Sequence, residues 1–476
     1  MTDHVEQSPY TVRHAADVSR LINQSTAAGN HARVIVAIAL GGIFLDAYDL
    51  GALAFGVKDI TVQFALSATQ VGIVVSAITF GAIIGALLGG YLTDKIGRYR
   101  VFMADMFFFV FAAILGALAP NAEILTLSRF IMGLGIGIDL PVAMAFLAEF
   151  SRLKGRGNKA AKIAMWCPTW YAAISVAYLL VLALYSFLPE SQSAYLWRYI
   201  VGFGAVPALA ILLVRKKYMT ESPIWAAQQG DLSTAVAILN TTYRIPARLS
   251  ETPSLHQITK PVRPWVAYLS LCKGRYFKRT VLSSTLSFVS PFAYAAIAFG
   301  LPIIISTLFA QSLLTTILVS LALNLFFALT GGLLAVRWVA IVGARKLALA
   351  GYACQVIALV GLAWLGKPQD SLHAVLCFGL LALFLFGQGF GPGAQSMVFA
   401  SLSYPASIRG VGVGLNQTIT RLSSTLALFI FPILTLNFGT QLFWIIACAP
   451  VIGLLALMLI MWEPVGYDVD AEDYSA

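Results

Sequence analysis

Charge is scarce in this chain. Of its 476 residues only 11% are Asp, Glu, Lys or Arg, against 59% hydrophobic, and mean hydropathy is +0.83. A soluble domain cannot carry that balance on its surface. Histidine is scarce too: the five present, His4, His14, His31, His256 and His373, lie in tails, loops or at the edge of an apolar run. Any proton chemistry deep in the chain therefore falls to carboxylates. Cysteine is sparse and scattered (Cys167, Cys272, Cys354, Cys377, Cys448), which excludes a disulfide framework and a metal-ligand set. No phosphate-cradling glycine loop and no nucleophile constellation stand out, so an enzyme is not expected, nor a cofactor. The polar first thirty or so residues lack an apolar core ahead of a small-residue cleavage site, which argues against a removable signal peptide.

What the chain has instead is apolar runs of about twenty residues, about twelve of them between Val34 and Trp462, each long enough to cross a hydrocarbon core. They are rich in Gly, Ala, Ser and Leu and do not alternate with period 2, so they read as helices that satisfy their own backbone groups. The fold class expected is an all-α membrane protein of twelve transmembrane helices. The expected division is a cytoplasmic tail over 1–33, six helices over 34–214, a cytoplasmic central loop over 215–279, six helices over 280–462, and a cytoplasmic tail over 463–476. The net charge of +10 does not call for nucleic acid, because the basic residues sit in alternate loops. Lys95, Arg98 and Arg100 follow the second run, Arg152, Lys154, Arg156, Lys159 and Lys162 the fourth, and Arg215, Lys216 and Lys217 the sixth. Positive loops face the cytoplasm, so a multi-pass protein of the inner membrane with both termini inside is expected. The other loops carry little beyond Lys58, Arg198 and Lys367.

The halves resemble each other. Gly90-x-x-x-Asp94-x-x-Gly97-Arg98-x-Arg100 after the second run has a weaker echo in Gly331-Gly332 and Arg337 to Lys346 after the eighth, where Ala340 replaces Asp94. Arg156-Gly157 is echoed by Arg409-Gly410. Duplication about a central loop is how alternating-access carriers are built, with the site near midplane between the halves.

Five motifs in order carry a family resemblance: the loop signature from Gly90 to Arg100; Arg129-x-x-x-Gly133-x-Gly135-x-Gly137; Glu149 with Arg156-Gly157; Glu221-Ser222-Pro223-x-Trp225; and Tyr404-Pro405-x-x-x-Arg409-Gly410. On these the chain resembles the major facilitator superfamily, in its sugar-porter and metabolite–proton symporter branches. The resemblance implies two six-helix bundles and secondary active transport. Two departures bear on substrate. The seventh run reads Ser283 to Pro291 without the Gln-Gln motif of hexose carriers, and Asp46-Ala47-Tyr48-Asp49 in the first resembles the Asp-Gly-x-Asp of aromatic-acid and related organic-acid proton symporters. The expected partners are a small-molecule substrate, protons and the lipid bilayer, and a monomer is expected.

An ionisable side chain inside a membrane is costly enough to be a functional candidate. Asp46 and Asp49 lie roughly 17 Å and 12 Å from the outer end of their helix, on one face, where two carboxylates resist joint ionisation. They are the proton-coupling candidates, with Asp139; for Asp49 the alternative is neutralising Arg129, and for Asp139 a hydrogen-bonded bend beside Pro141. Arg129 and Arg421 are candidates for binding substrate, guanidinium being suited to a carboxylate, with Trp170, Tyr294, Gln388, Asn416 and Gln417 around them; a static ion pair remains the alternative for Arg129. Asp94, Gly97, Arg98, Glu149, Arg156, Arg345 and Arg409 fall at cytoplasmic helix ends and read as a gate, the alternative being solvated salt bridges worth about 1 kcal/mol or less each. The favoured reading is proton-coupled uptake of an organic or aromatic acid. A sugar or polyol symporter is the close alternative, then a phosphate symporter or efflux carrier. A carrier-derived nutrient sensor is the alternative outside transport; such sensors add a long signalling tail, whereas this chain ends shortly after Trp462.

Overall fold

The computed structural model describes residues 9–24, 30–52, 57–151, 153, 158–187, 189, 195–252, 263–299, 301, 304–305 and 313–474. Among them twelve membrane-spanning helical segments form two bundles of six. In the first half, spans 1 to 4 are Asn30–Ala52, Ala68–Ile96, Arg98–Ala117 and Ala122–Glu149. Span 5 joins Lys159–Ala164 to Trp166–Phe187, and span 6 joins Leu196–Phe203 to Ala205–Tyr218. In the second half, span 7 is Tyr276–Tyr294 continued by the π-helical turn Ala295–Phe299. Span 8 runs through Leu313–Ala322, a π segment Leu323–Ala328, and Leu329–Val342. Span 9 is Ala344–Leu365. Span 10 is Ser371–Gln388, a π segment Gly389–Gly393 and Ala394–Leu402. Spans 11 and 12 are Arg409–Phe438 and Leu442–Leu459.

Local chemistry sets the helix ends. Span 2 starts at a capping box in which Ser67 and Gln70 satisfy each other's backbone donors, and spans 4, 5 and 10 start at the side-chain caps Asn121, Asn158 and Asp370. The turns between spans 2 and 3 and between spans 8 and 9 each hinge on one glycine, Gly97 (φ 107°) and Gly343 (φ 93°), conformations closed to most side chains. A half-buried carboxylate then caps the following helix: Glu221 accepts from the backbone N–H of Arg98 at 2.9 Å and of Tyr99 at 3.3 Å, and Glu463 from Ala344 at 3.0 Å and Arg345 at 2.9 Å. Anions at helix N-termini are stabilised by the free amide donors there. The sequence duplication is thus a duplication of this device.

Large apolar side chains point outward along the spans, among them Phe80, Phe107, Phe111, Leu127, Trp364 and Phe429, as a lipid solvent requires. Polar and charged side chains turn inward instead: Asp46, Asp105, Asp139, Gln355, Gln395 and Asn416 are fully buried. Span 4 is the most enclosed helix of its bundle, 78% of its apolar window being buried. The bundles meet at spans 2 and 11, where backbone touches backbone: a Cβ on Gly90 would lie 2.5 Å from the Gly410 carbonyl and one on Gly410 would lie 2.7 Å from that of Gly90. Only glycine permits that approach.

The segment between the bundles is ordered locally into short helices Pro223–Gln228, Leu232–Ile238 and Pro264–Ser270. A strand Ala247–Leu249 pairs in parallel with Tyr10–Val12, so the N-terminal segment docks on the central one. All of this lies at one end of the molecule, called here the terminal face.

Candidate functional site

Two regions collect the candidate residues. The first is the terminal face, where spans 2, 4, 5 and 11 end. Arg98 Nη2 donates to Glu149 Oε1 at 2.9 Å, its Nε to Oε2 at 3.2 Å, and Nη2 also reaches across to the Ala406 carbonyl of the other bundle at 2.7 Å. Arg409 Nη1 donates to the same Glu149 oxygen at 3.2 Å. One carboxylate therefore holds a guanidinium from each bundle. Asp94 lies 3.3 Å from Arg98 and accepts from the backbone N–H groups of Gly410 (3.2 Å) and Val411 (2.9 Å), so that span 2 caps span 11. Gly97 sets the turn that delivers Arg98. In this conformer the bundles are tied together at the terminal face.

Arg345 stands apart from that knot: its Nε donates to the Leu457 carbonyl within its own bundle at 2.8 Å. Arg156 lies outside the described residues.

The C-terminal segment completes the knot, and sequence reasoning missed it. Asp470 accepts from Arg409 and from Lys159 Nζ at 2.5 Å, joining the second bundle to the start of span 5. Burial works against the Asp470 charge, but Arg409 and Lys159 outweigh it and hold the carboxyl well below the usual range. Glu472 takes Arg279 at 2.9 Å, while Asp473 takes Gln228 at 2.8 Å and the hydroxyl of Ser407. Burial, helped by the nearby Asp470 charge, pushes Asp473 up to about 6 despite its bonds to Ser407.

The second region is the interior. Asp46 on span 1 is fully buried and neither of its oxygens has a hydrogen-bond donor. The charges acting on it are Asp139, Asp105 and Asp49 from its own bundle and Arg421 from span 11 of the other. Among the described residues no ion pair joins Asp46 to Arg421. Arg129 donates to the Asp49 backbone carbonyl at 3.2 Å. Asp139 is taken by Arg215 at 2.7 Å, and Arg215 also holds Asp105 at 2.6 Å. Arg215 thus turns inward from the last turn of span 6, where the sequence places it among loop charges. Asp105 lies well inside the third apolar run, so the rule that singled out Asp46 applies to it equally.

Aromatic and amide groups line the meeting of the bundles. Tyr171 on span 5 stacks edge-on against Tyr294 on span 7, centroids 6.0 Å apart, and Trp170 packs on Trp166, whose Nε1 donates to the Ala394 carbonyl across the interface. Gln388 donates to Ser290 at 3.1 Å and accepts from Gln355 at 2.6 Å, which links spans 7, 9 and 10. Asn416 accepts from Ser287 at 2.8 Å and Gln417 lies against the Met397 sulfur at 3.3 Å. Gln395, a further amide at membrane depth in the sequence, is fully buried with both amide atoms unbonded. Asn324 of span 8 bridges to Tyr171 and Ser175 of span 5 at 3.0 and 2.8 Å.

The chain is similar to known carriers along almost its whole length. The profile of the family described as "Sugar (and other) transporter" matches residues 34–473. The inner membrane metabolite transport protein YgcS of Escherichia coli (strain K12) is 27% identical over 433 residues, covering 90% of this chain and 91% of that one. The niacin transporter NiaP of Acinetobacter baylyi (strain ATCC 33305 / BD413 / ADP1) is 27% identical, with 83% and 85% covered. Among solved structures, the proton:xylose symporter XylE bound to 6-bromo-6-deoxy-D-glucose superposes with a TM-score of 0.77 at 19% identity, covering 92% of this chain and 98% of that one. The likeness falls to 0.65, at 18% identity, for XylE from E. coli in its inward-open conformation, with 93% and 99% covered.

Proposed function

Since the chain belongs to the sugar (and other) transporter family, within the major facilitator superfamily, we propose that it is a proton-coupled importer of a small organic acid working by alternating access. The terminal face is read as cytoplasmic, because Lys95, Arg100, Lys162, Lys216 and Lys217 cluster there with both termini. The membrane is read as the inner one and the working unit as a monomer.

One observation carries the proposal: Asp46 is buried without a donor, and Arg421 of the other bundle is the cation whose charge acts on it. A buried carboxylate without a hydrogen bond is tolerated when a cation neutralises it or when it holds a proton. An anionic substrate that takes Arg421 removes that neutralisation, and Asp46 then takes up a proton. Acid and proton are loaded together, and rocking of the bundles carries both. Arg129, whose guanidinium bonds the Asp49 backbone carbonyl one turn away, ties span 1 to span 4. Trp170, Tyr294 and Tyr171 supply apolar faces for the body of the substrate. The gate opens when the Glu149 knot and the Asp94 cap separate.

A specific observation favours a second reading, a neutral polyhydroxy substrate. The second bundle offers amides, Gln355, Gln388, Gln395 and Asn416, and the Gln395 amide is wholly unbonded, which suits hydroxyl groups.

The test is external pH in lightly buffered, de-energised cells expressing the protein, pulsed in turn with aromatic acids, aliphatic acids, sugars and polyols. Alkalinisation on an acid pulse, lost in Asp46→Asn, supports the first reading; alkalinisation on sugars or polyols alone selects the second. A substrate shown by isotope to enter without any pH change would overturn proton coupling.

A further inference from the structure

Below Asp46 the first bundle holds a charge imbalance that substrate binding does not use. Arg215 is its centre. Nη1 donates to Asp105 Oδ1 at 2.6 Å and to the Phe102 carbonyl at 2.5 Å, Nη2 donates to Asp139 Oδ1 at 2.7 Å, and the guanidinium lies 3.3 Å from the centre of the Phe102 ring. All three charged side chains are fully enclosed. One guanidinium thus serves two carboxylates, and a fully buried extra negative charge is among the most costly arrangements a protein can hold.

The second oxygens show how the excess is met. Oδ2 of Asp105 and Oδ2 of Asp139 each lack a donor, while their Oδ1 atoms sit on the two neighbouring nitrogens of one guanidinium, which brings the two carboxyls side by side. Two ionised carboxylates are both acceptors only, so a bond between them exists only if one carries a proton.

An independent observation points into the same place. Gly42 on span 1 presses against the cluster: a Cβ there would sit 2.5 Å from Arg215 Nη2 and 2.6 Å from Asp139 Oδ1. Asp46 is one helical turn further on the same face, fully buried with both oxygens unbonded, and Asp139 is the foremost charge acting on it. By helix rise, Asp105 lies about 10 Å from the Arg98 end of span 3 and Asp139 about 15 Å from the Glu149 end of span 4. The cluster therefore sits between Asp46 and the terminal face.

We propose that Asp105 and Asp139, clamped by Arg215, share one exchangeable proton and form a second proton site through which the proton on Asp46 leaves for the terminal face. In the closed conformer the pair holds its proton. When the gate opens the pair releases it, leaving two carboxylates on one guanidinium; an O–H bond on Asp46 then breaks as one forms on the pair, and the Asp46 carboxylate is left to the charge of Arg421. The groups that set the energy of the transfer are Asp46 of span 1, Asp105 of span 3, Asp139 of span 4, Arg215 of span 6 and Arg421 of span 11. The direction of transfer rests on the proton-coupled reading above, whereas the shared proton does not.

The test is infrared difference spectroscopy of the purified, full-length protein in lipid, reading the carbonyl stretch of protonated carboxyl groups with proton–deuteron exchange as the marker. Asp105→Asn and Asp139→Asn should each abolish the same band, the double variant should remove no more than either alone, and Asp46→Asn should leave that band in place. Each single variant keeps one carboxylate on Arg215, a neutral pair that the fold can bury. Asp105→Glu keeps the acid and should shift the band without removing it, which guards against a variant that fails to fold. A band untouched by all three changes at Asp105 and Asp139 would overturn the shared site. So would a band that vanishes when sodium replaces potassium, since the occupant would then be a metal cation. Transport insensitive to pH with this band behaving as stated would sink the symport reading and the relay while leaving the shared site; proton-coupled uptake without the band would sink the site alone.

Discussion

Replacing Asp470 with Asn tests whether the C-terminal segment holds the terminal face shut. Asp470 is fully buried and binds two cations from different bundles, Arg409 and Lys159. In Asp470→Asn, Arg409 keeps Glu149 at 3.2 Å, and the amide oxygen can still accept from the Ala406 N–H that Asp470 takes at 3.1 Å. Lys159 is the loser: it is 2% exposed, and Asp470 is its ion-pair partner among the described residues. Breaking a buried pair from one side costs about 3–5 kcal/mol, and the retained bonds put this case near 3 kcal/mol. That is roughly a hundredfold in the equilibrium between tied and parted bundles, enough to bring a 99:1 population near parity. Spin labels at Ile96 and Ile341, exposed at the ends of spans 2 and 8, would report the separation of the bundles. The variant should gain a long-distance population, and adding Lys159→Met should remove most of it, because the stranded cation is then gone. An Asp470→Asn distance distribution identical to wild type would refute the reasoning.

Asp473 makes the docking of this segment pH-dependent. Its carboxyl is raised from an ordinary 3.8 to about 6, so the docked state binds the extra proton and docking weakens as pH rises between those values; the whole change is worth at most about 3 kcal/mol. Proteolysis of the segment should therefore accelerate from pH 4.5 to about 6.5 in wild type and lose that dependence in Asp473→Asn. Gly42→Ala should displace Arg215 or Asp139 and lower thermal stability by about 1–3 kcal/mol, read as an earlier thermal transition in detergent; an unchanged transition would show that span 1 yields there. Gly97→Ala strains a φ of 107° and pushes on Glu221, and a loss of roughly 1–3 kcal/mol should appear in the same assay, with Gly343→Ala matching it if the two turns are equivalent. Gly410→Ala should force spans 2 and 11 apart and favour the parted state in the spin-label measurement.

The twelve spans were legible because a lipid solvent demands long apolar runs whatever their packing, and the Glu221 and Arg409 motifs were legible because they recur in order. Arg129 meets the Asp49 main chain rather than its carboxylate, a detail that sequence position does not carry. Arg215 was not legible: it precedes Lys216 and Lys217, and only the phase of the last helical turn decides that it points inward while its neighbours do not. Asp470 was hidden for another reason. Its partner Lys159 is 311 positions away, and an acidic residue after the last span reads as a solvated one until the segment is seen to fold back.

The two bundles, alike in their turns and caps, differ in what they bury, and the difference bears on how one molecule couples two fluxes. Away from the terminal face the first encloses Asp46, Asp49, Asp105, Asp139, Arg129 and Arg215, while the second encloses Arg421 and a set of neutral amides. Buried carboxylates change charge cheaply only when a proton or a cation arrives to balance them, and amides do not change charge at all. A proton entering the first bundle alters its internal energy strongly; a ligand exchanging hydrogen bonds with the second alters its energy weakly. Coupling then needs one point that answers to both, and on the function proposed above that point is Asp46 with Arg421, whose charges act on each other across the two bundles. A chain with the ionisable groups spread evenly over both halves would have no such single point of linkage.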